Sequence, residues 1–195
     1  TIGRDEAARS VAKLKRQGID MIITSDISRT METAQIAAAA LGVKKIVVDK
    51  GLHEIMLGTL SGRSDSEYHR TFPTYESKFE QTPEKGESLR DLRKRVFLFM
   101  EAVEKKYKGK KILFVSHEYP IWMLFHAALG WNEKQAIKEK EAMGGDFIQP
   151  AEVRELEWKI IPRDGSGEVD LHRPYADKIS FGCKKCKGKM ERIKE

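Results

Sequence analysis

The sequence has little cysteine and no long apolar run, and both absences narrow the class of protein. Only two of the 195 residues are cysteines, Cys183 and Cys186. A small secreted fold held by disulfide bonds would have more, so a protein of the reducing cytoplasm is expected. No run approaches the ~18 apolar residues that a membrane-spanning helix needs, so a soluble protein without a membrane partner is expected. An apolar content of 40% is still enough for one ordinary core.

The first residues lack an initiator methionine and the apolar core of a signal peptide. We therefore interpret residue 1 as a position inside a longer chain. The net charge of +6 says little about binding partners, because basic and acidic residues are interspersed over residues 1–160, as on a solvated surface. No DNA partner is expected. Only the C-terminal tail concentrates one sign of charge, at Lys178, Lys184, Lys185, Lys187, Lys189, Arg192 and Lys194.

Apolar periodicity predicts helices that alternate with strands over most of the chain. The predicted helices lie at residues 5–17, from a cap at Asp26 or Ser28 to Leu41, from a cap at Ser88 to about Val103, and from Pro120 to Leu129. The predicted strands lie at residues 21–23, 46–48, 112–115 and 153–161. This alternation predicts an α/β fold, a three-layer sandwich in which a mostly parallel sheet is covered by helices on both faces.

Three residues lie just after predicted strands or close to them, where open α/β sheets bind their ligands. Arg29 lies at a predicted helix start and could add a forked pair of donors to a bound phosphate. His117 follows the most apolar strand, and its imidazolium could stabilise a phosphoryl oxygen. Glu54 could protonate a leaving oxygen if its pKa is raised. For each residue the alternative is an ordinary solvated or structural side chain.

Together these segments resemble the histidine phosphatase superfamily, which includes the cofactor-dependent phosphoglycerate mutases. The resemblance covers residues 1–161 and implies an α/β domain of that fold. The motifs occur in the family's order, at natural spacings. The matching residues are Gly3; Ser25, Arg29, Thr33 and Ala34; Leu52, Glu54 and Gly58; Gly86, Glu87 and Ser88; and Val115, Ser116 and His117.

The resemblance implies a role for each matched residue. Arg29, Ser25 and His117 would bind the phosphoryl group of a phosphorylated small molecule. His117 would also stabilise the developing charge, and Glu54 would be the general acid. The family's nucleophile is a histidine in an Arg-His-Gly motif at the end of the first strand, and this triplet is absent from the sequence. The domain is therefore expected to lack its first strand, which would precede Thr1.

The residue after His117 departs from the family pattern. The family usually has glycine there, whereas this sequence has Glu118. A carboxylate beside a phosphate pocket would repel the substrate, by about a few kcal/mol if it is poorly solvated. The alternative is that the carboxylate points away from the pocket.

Residues 170–193 resemble a different family, isoleucyl-tRNA synthetase. In that family Asp-x-His-Arg-Pro-Tyr-x-Asp precedes a cysteine-rich knuckle and a Met-x-Arg sequence. Cys183 and Cys186 have the spacing of half a tetrahedral zinc site, and His172 is a weaker candidate for a third ligand. The missing ligands predict an incomplete or unoccupied site in this chain. The alternative is a pair of free thiols.

Three hypotheses of function follow. The main one is a fragment of an isoleucyl-tRNA synthetase, an ATP-dependent ligase, with an inserted domain (1–161), a linker (162–169) and a short cysteine-containing synthetase-like tail (170–195). ATP and tRNA would be bound by the parent protein, zinc by its completed knuckle, and this chain alone would be catalytically incomplete, with no cofactor of its own. The second is a phosphohydrolase or a phosphoglycerate mutase-like enzyme that acts through a phosphohistidine. The third is a non-catalytic module that binds phosphate or tRNA.

Overall fold

The computed structural model describes residues 2–158, 161–168, 170, 173, 176–180 and 191–192. Helices and strands alternate along most of this part of the chain. The helices are α1 (Ile2–Ala12), α2 (Ser28–Leu41), α3 (Asp65–Thr71), α4 (Tyr75–Glu80), α5 (Leu89–Lys106), α6 (Glu118–Ala128) and α7 (Glu133–Ala142), with 3-10 turns at Lys50–Leu52 and Gly58–Leu60. The strands are β1 (Met21–Thr24), β2 (Ile46–Val48), β3 (Ile112–Val115), β4 (Glu155–Trp158), β5 (Ala176–Ser180) and β6 (Glu191–Arg192).

Strand β1 lies at the centre of a three-stranded parallel sheet of order β2-β1-β3. Ile22 pairs with Ile46 on one side and with Leu113 on the other. All four residues of β1 are buried, as expected for a short apolar strand covered on both faces. The prediction of an α/β fold with a parallel sheet is confirmed. The expectation of a missing first strand stays a prediction.

Alternate residues of β1 face two separate cores, because successive side chains of a strand point to opposite faces of the sheet. Ile22 packs on one face with Val11 of α1 and Ala34 of α2. Met21 and Ile23 lie on the other face, in the larger core that α5 and α6 cover. The sheet is therefore the middle layer of three, and its carboxyl edge opens between the two helical layers.

Local chemistry sets the ends of the helices. A capping box begins α5, in which the side chains of Ser88 and Asp91 each accept a hydrogen bond from the other residue's backbone. Gly42 ends α2 in the left-handed region, with φ of 69°. Both ends agree with the prediction. Helix α1 ends earlier than predicted, at Ala12, because the backbone then turns through short-range bonds such as that from the Gln17 N–H to the Leu14 carbonyl at 2.9 Å.

The starts of two helices were predicted wrongly. Ile27 is the N-cap of α2 and offers no side-chain cap, because the carboxylate of Asp26 bonds instead to His53 Nδ1 at 2.5 Å. Helix α6 begins at Glu118, which leaves Pro120 inside its first turn. Proline is tolerated there, since the first N–H groups of a helix have no partner within the helix.

Strands β4, β5 and β6 form a separate antiparallel sheet. The edge strand predicted over residues 153–161 corresponds to β4, which is the outermost strand of this sheet. In the predicted linker, the N–H of Asp164 donates to the carbonyl of Glu168 at 2.8 Å and closes a turn. None of the helices in the described residues is long and apolar enough to cross a membrane. A cytoplasmic location stays a prediction.

Candidate active site

The carboxyl ends of β1 and β3 bring an arginine, a serine and a histidine together. Thr24 and Val115 are register partners, so the residues that follow them lie side by side. Nη2 of Arg29 is 2.7 Å from Nδ1 of His117, and Oγ of Ser25 is 2.8 Å from its Nε2. Two residues of one predicted motif, Ser25 and Arg29, thus contact both ring nitrogens of His117, which was predicted from another motif.

The hydrogen bonds around His117 define its protonation. A guanidinium can only donate, so Nδ1 of His117 accepts from Arg29 and the ring proton resides on Nε2. Nε2 then donates to Ser25 Oγ, Ser25 donates to Thr30 Oγ1 at 2.6 Å, and Thr30 donates to the Ile27 carbonyl at 2.7 Å. Every donor in this series of four hydrogen bonds has an acceptor, and the imidazole is neutral.

Burial, and after it the positive charge of Arg29, lower the pKa of His117 to about 4. His117 is 6% exposed, so little water solvates the charged form of its ring. A bound phosphoryl group would act in the opposite direction, because it would neutralise Arg29 and accept hydrogen bonds from the imidazolium. The imidazolium expected from the sequence therefore requires an anion in the site.

Glu54 completes the cluster, with Oε2 4.0 Å from Nδ1 of His117. Its Oε1 accepts a hydrogen bond from the Ile55 N–H at 3.0 Å. Burial raises the pKa of Glu54, against the opposing influence of that hydrogen bond and of the Arg29 charge. A raised pKa favours the protonated form of the carboxyl group, which is the form that a general acid needs.

Arg29 is accessible from solvent. An open groove of about 480 Å³ follows the first turns of α2 and is lined by Ser28, Arg29, Met31, Glu32 and Gln35. In the described part of the chain, no side chain caps the start of this helix. Its first N–H groups and the positive end of its dipole are available to an anion. Ser25, by contrast, is fully buried behind His117 and orients the ring; its predicted phosphate contact stays a prediction.

Two hydrogen-bond donors compensate the charge of the Glu118 carboxylate. It accepts hydrogen bonds from Nζ of Lys140 and, at 2.8 Å, from the N–H of Phe147. Lys140 is 1% exposed and supplies the opposite charge. The charge of Lys140 therefore offsets part of the expected repulsion of a phosphate. That the carboxylate points away from the pocket stays a prediction. The negative charge still contributes to the raised pKa of Glu54.

Sequence reasoning missed two further side-chain pairs near the cluster. Asp26 holds His53 next to Glu54, and the hydrogen bond with His53 lowers the pKa of the Asp26 carboxyl. Glu87 and Arg95 form a buried pair against the segment that carries Glu54. The Gly-Glu-Ser match included Glu87 but gave it no role. Its partner Arg95 lies eight residues later, on a mostly apolar face of a predicted helix, and a charged residue in that position could have indicated the pair.

The zinc prediction cannot be compared with the fold, since Cys183, Cys186 and His172 lie outside the described residues. Within the residues that are described, no group of three or more histidine, cysteine, aspartate or glutamate side chains could hold a metal ion. The half site at the two cysteines stays a prediction.

The parallel sheet and its layers of helices define an α/β protein of the histidine-phosphatase type. A family model described as "Histidine phosphatase superfamily (branch 1)" matches residues 1–144. The chain therefore belongs to the histidine phosphatase superfamily. The match includes Ser25, Arg29, Glu54 and His117.

Among curated relatives, phosphoglycerate mutase-like protein 4 of Arabidopsis thaliana is 33% identical over 133 residues. A probable phosphoglycerate mutase, GpmB, of Yersinia enterocolitica is 33% identical over 135 residues. These alignments cover 65% and 66% of this chain. The chain spans 58% and 62% of the lengths of the two relatives.

Solved structures share the fold. YhfR of Bacillus stearothermophilus has a TM-score of 0.65 at 22% identity, and the match covers 87% of this chain and 84% of YhfR. A mycobacterial glucosyl-3-phosphoglycerate phosphatase in complex with VO3 has a TM-score of 0.64 at 21% identity, covering 80% and 77%. None of the proteins named here is a tRNA synthetase, and the family match ends before residue 170, so the comparisons give no support to the synthetase hypothesis.

Proposed function

We propose that the protein is a phosphohydrolase or phosphomutase that acts on a phosphorylated small molecule. The observation that carries this proposal is the cluster of Arg29, His117 and Glu54 at the carboxyl edge of the sheet. It combines a cation, a buried histidine ring with a lowered pKa, and a carboxyl group with a raised pKa. The names of the relatives, phosphoglycerate mutases and a sugar-phosphoglycerate phosphatase, support a substrate of this class.

Each residue has one task in the proposed reaction. Arg29 binds the phosphoryl oxygens through its guanidinium. His117 stabilises the charge that develops on them. Glu54 donates its proton to the leaving oxygen as the bond from phosphorus to that oxygen breaks. The sequence contains no Arg-His-Gly triplet, so the acceptor of the phosphoryl group is not assigned to a residue of this chain.

Phosphate release by the full-length protein that contains this chain tests the proposal. The wild-type protein should hydrolyse p-nitrophenyl phosphate or a phosphoglycerate. Arg29→Ala and His117→Ala should each lower kcat/KM by about a hundredfold or more, as removal of a charge-stabilising donor does. Lys45→Met, which changes an exposed lysine on the loop before β2, is the matched control and should leave turnover unchanged. A wild-type protein without turnover, or variants as active as the wild type, would contradict the proposal.

The synthetase hypothesis is a separate proposal that rests on residues 170–193 alone. The reading frame around this chain decides it, because a synthetase must carry its nucleotide-binding motifs on both sides of the inserted domain. A full-length gene without them would rule it out. The binding-module hypothesis predicts tight phosphate or tRNA binding without turnover, and tRNA binding would fall steeply with salt.

A further inference from the structure

Glu54 lies in a segment with almost no regular structure. The segment runs from the 3-10 turn Lys50–Leu52 to the turn Gly58–Leu60, and residues 53–57 between them belong to no helix or strand. Within the segment, the carboxyl group accepts a hydrogen bond from the Ile55 N–H at 3.0 Å. Contacts from outside the segment must hold the irregular backbone that carries it.

Arg95 of α5 supplies most of these contacts. Its Nη1 donates to the carbonyls of Lys50 and Gly51, both at 3.0 Å. Its Nη2 donates to the carbonyl of His53 at 3.0 Å and lies 3.4 Å from that of Glu54. Nε and Nη2 also donate to the two carboxylate oxygens of Glu87, at 3.1 and 2.5 Å. All five N–H groups of the guanidinium are thereby used.

Glu87 binds the other side of the same segment. Its Oε1 accepts from the Met56 N–H at 3.0 Å, and its own N–H donates to the Met56 carbonyl at 2.8 Å. The hydroxyl of Ser116, the residue before the catalytic histidine, donates to the carbonyl of Leu52 at 2.7 Å. Every carbonyl from residue 50 to 54 thus has a donor from α5 or from the loop after β3.

The pair is well placed to act as a rigid support. The side chains of Glu87 and Arg95 are 6% and 20% exposed, so water competes little for their hydrogen bonds. Leu92 and Val96, which flank Arg95 on α5, are fully buried in the main core and anchor the helix. The charge of Arg95 also reaches the site, because it lowers the pKa of Glu54.

We infer that Arg95 and Glu87 are positioning residues that hold Glu54 at the reacting oxygen. The inference rests on the proposed function, since it assigns these residues a task in leaving-group protonation. A positioned acid matters most for a poor leaving group, which needs the proton, and least for p-nitrophenolate, which leaves without it. A purely structural support would affect both kinds of substrate equally.

The test compares four variants of the full-length protein on glycerol phosphate and on p-nitrophenyl phosphate. Arg95→Lys keeps the positive charge but has three donors in place of five, in a different geometry. Arg95→Met removes both charge and donors. Glu87→Gln removes the ion pair but can still accept from Met56. Arg90→Met is the control, because Arg90 lies on the same helix and pairs with Glu133 at an exposed site.

Arg95→Lys should lower kcat on glycerol phosphate by about tenfold to a hundredfold, with KM nearly unchanged, because a small displacement of an acid is costly. Its kcat on p-nitrophenyl phosphate should fall far less. Arg95→Met should also move the alkaline limb of the kcat profile to higher pH, since the lost charge no longer lowers the pKa of Glu54. Arg90→Met should resemble the wild type on both substrates.

Equal losses on the two substrates, or no loss on either, would overturn the inference. A wild-type protein that hydrolyses neither substrate would instead contradict the proposed function, so the two failures are distinguishable. If Arg95→Met does not fold, Arg95→Lys and Glu87→Gln still test the inference. The ratio of kcat on glycerol phosphate to kcat on p-nitrophenyl phosphate must then differ from the wild-type ratio in both variants.

Discussion

Replacing Lys78 with methionine should stabilise the protein at neutral pH. The side chain of this α4 residue is 3% exposed, and its Nζ forms no ion pair in the part of the chain that the structure describes. Its partners are Nδ1 of His69 at 2.9 Å and the rings of Tyr75 and Tyr68, whose centroids lie 4.7 and 5.3 Å away. The nearby carboxylate of Glu118, which is half-buried, already pairs with Lys140.

The size of the effect follows from the pKa of Lys78. Burial, and after it the charge of Lys140, lower this pKa from 10.5 to about 8. The folded state therefore binds the proton less tightly than the unfolded state, and folding is penalised wherever both states are protonated, that is, below pH 8. The penalty is at most about 3 kcal/mol, and it disappears as the pH rises from 8 to 10.5. Methionine removes it but also loses the contacts with His69 and the rings, about 1–2 kcal/mol.

Urea unfolding of wild type and Lys78→Met between pH 6 and pH 10 is the assay. The variant should be more stable by about 1–2 kcal/mol at pH 7. Its advantage should shrink above pH 8, where the wild type gains stability. Lys45→Met is the control, because Nζ of Lys45 lies 4.8 Å from the Tyr107 ring at an exposed position. A variant that is less stable at pH 7, with an unchanged pH slope, would refute this reasoning.

Two further predictions concern charged groups near the site. Glu118→Ala should lower the free energy of unfolding by about 3–5 kcal/mol, because it leaves the buried ammonium of Lys140 without a counter-charge. Urea unfolding measures this loss. A loss no larger than that caused by Glu76→Ala, at an exposed position, would contradict the prediction. The imidazole of His117 should titrate near pH 4 in the free protein and at higher pH with saturating inorganic phosphate, as followed by its ring proton resonances. A titration midpoint that phosphate leaves unchanged would contradict the proposed site.

Features that depend on local sequence were predicted well. The apolar residues of β1 and β3 determine parallel strands, and their carboxyl ends must meet at one edge of the sheet. This rule places Arg29 and His117 together although 88 residues separate them. Ser88 and Gly42 mark helix ends by their own local chemistry, so they too could be recognised without a structure.

Features that depend on a distant partner were not predicted. The sequence shows Glu118 beside His117, but not that Lys140, one helix later, supplies the compensating charge. Asp26 looks like a helix cap, and only the fold brings His53 within reach of its carboxylate. These pairings depend on how the layers pack against each other, which no periodicity along the chain encodes.

In the proposed mechanism, Arg29 and His117 bind the same phosphoryl group. A double-mutant cycle of orthovanadate inhibition measures whether they do, with wild type, Arg29→Ala, His117→Ala and the double variant of the full-length protein. Because Nη2 of Arg29 lies 2.7 Å from Nδ1 of His117, the two losses of binding free energy should couple by about 1 kcal/mol or more. Losses that add within about 0.3 kcal/mol, or vanadate binding that neither substitution weakens, would contradict the account.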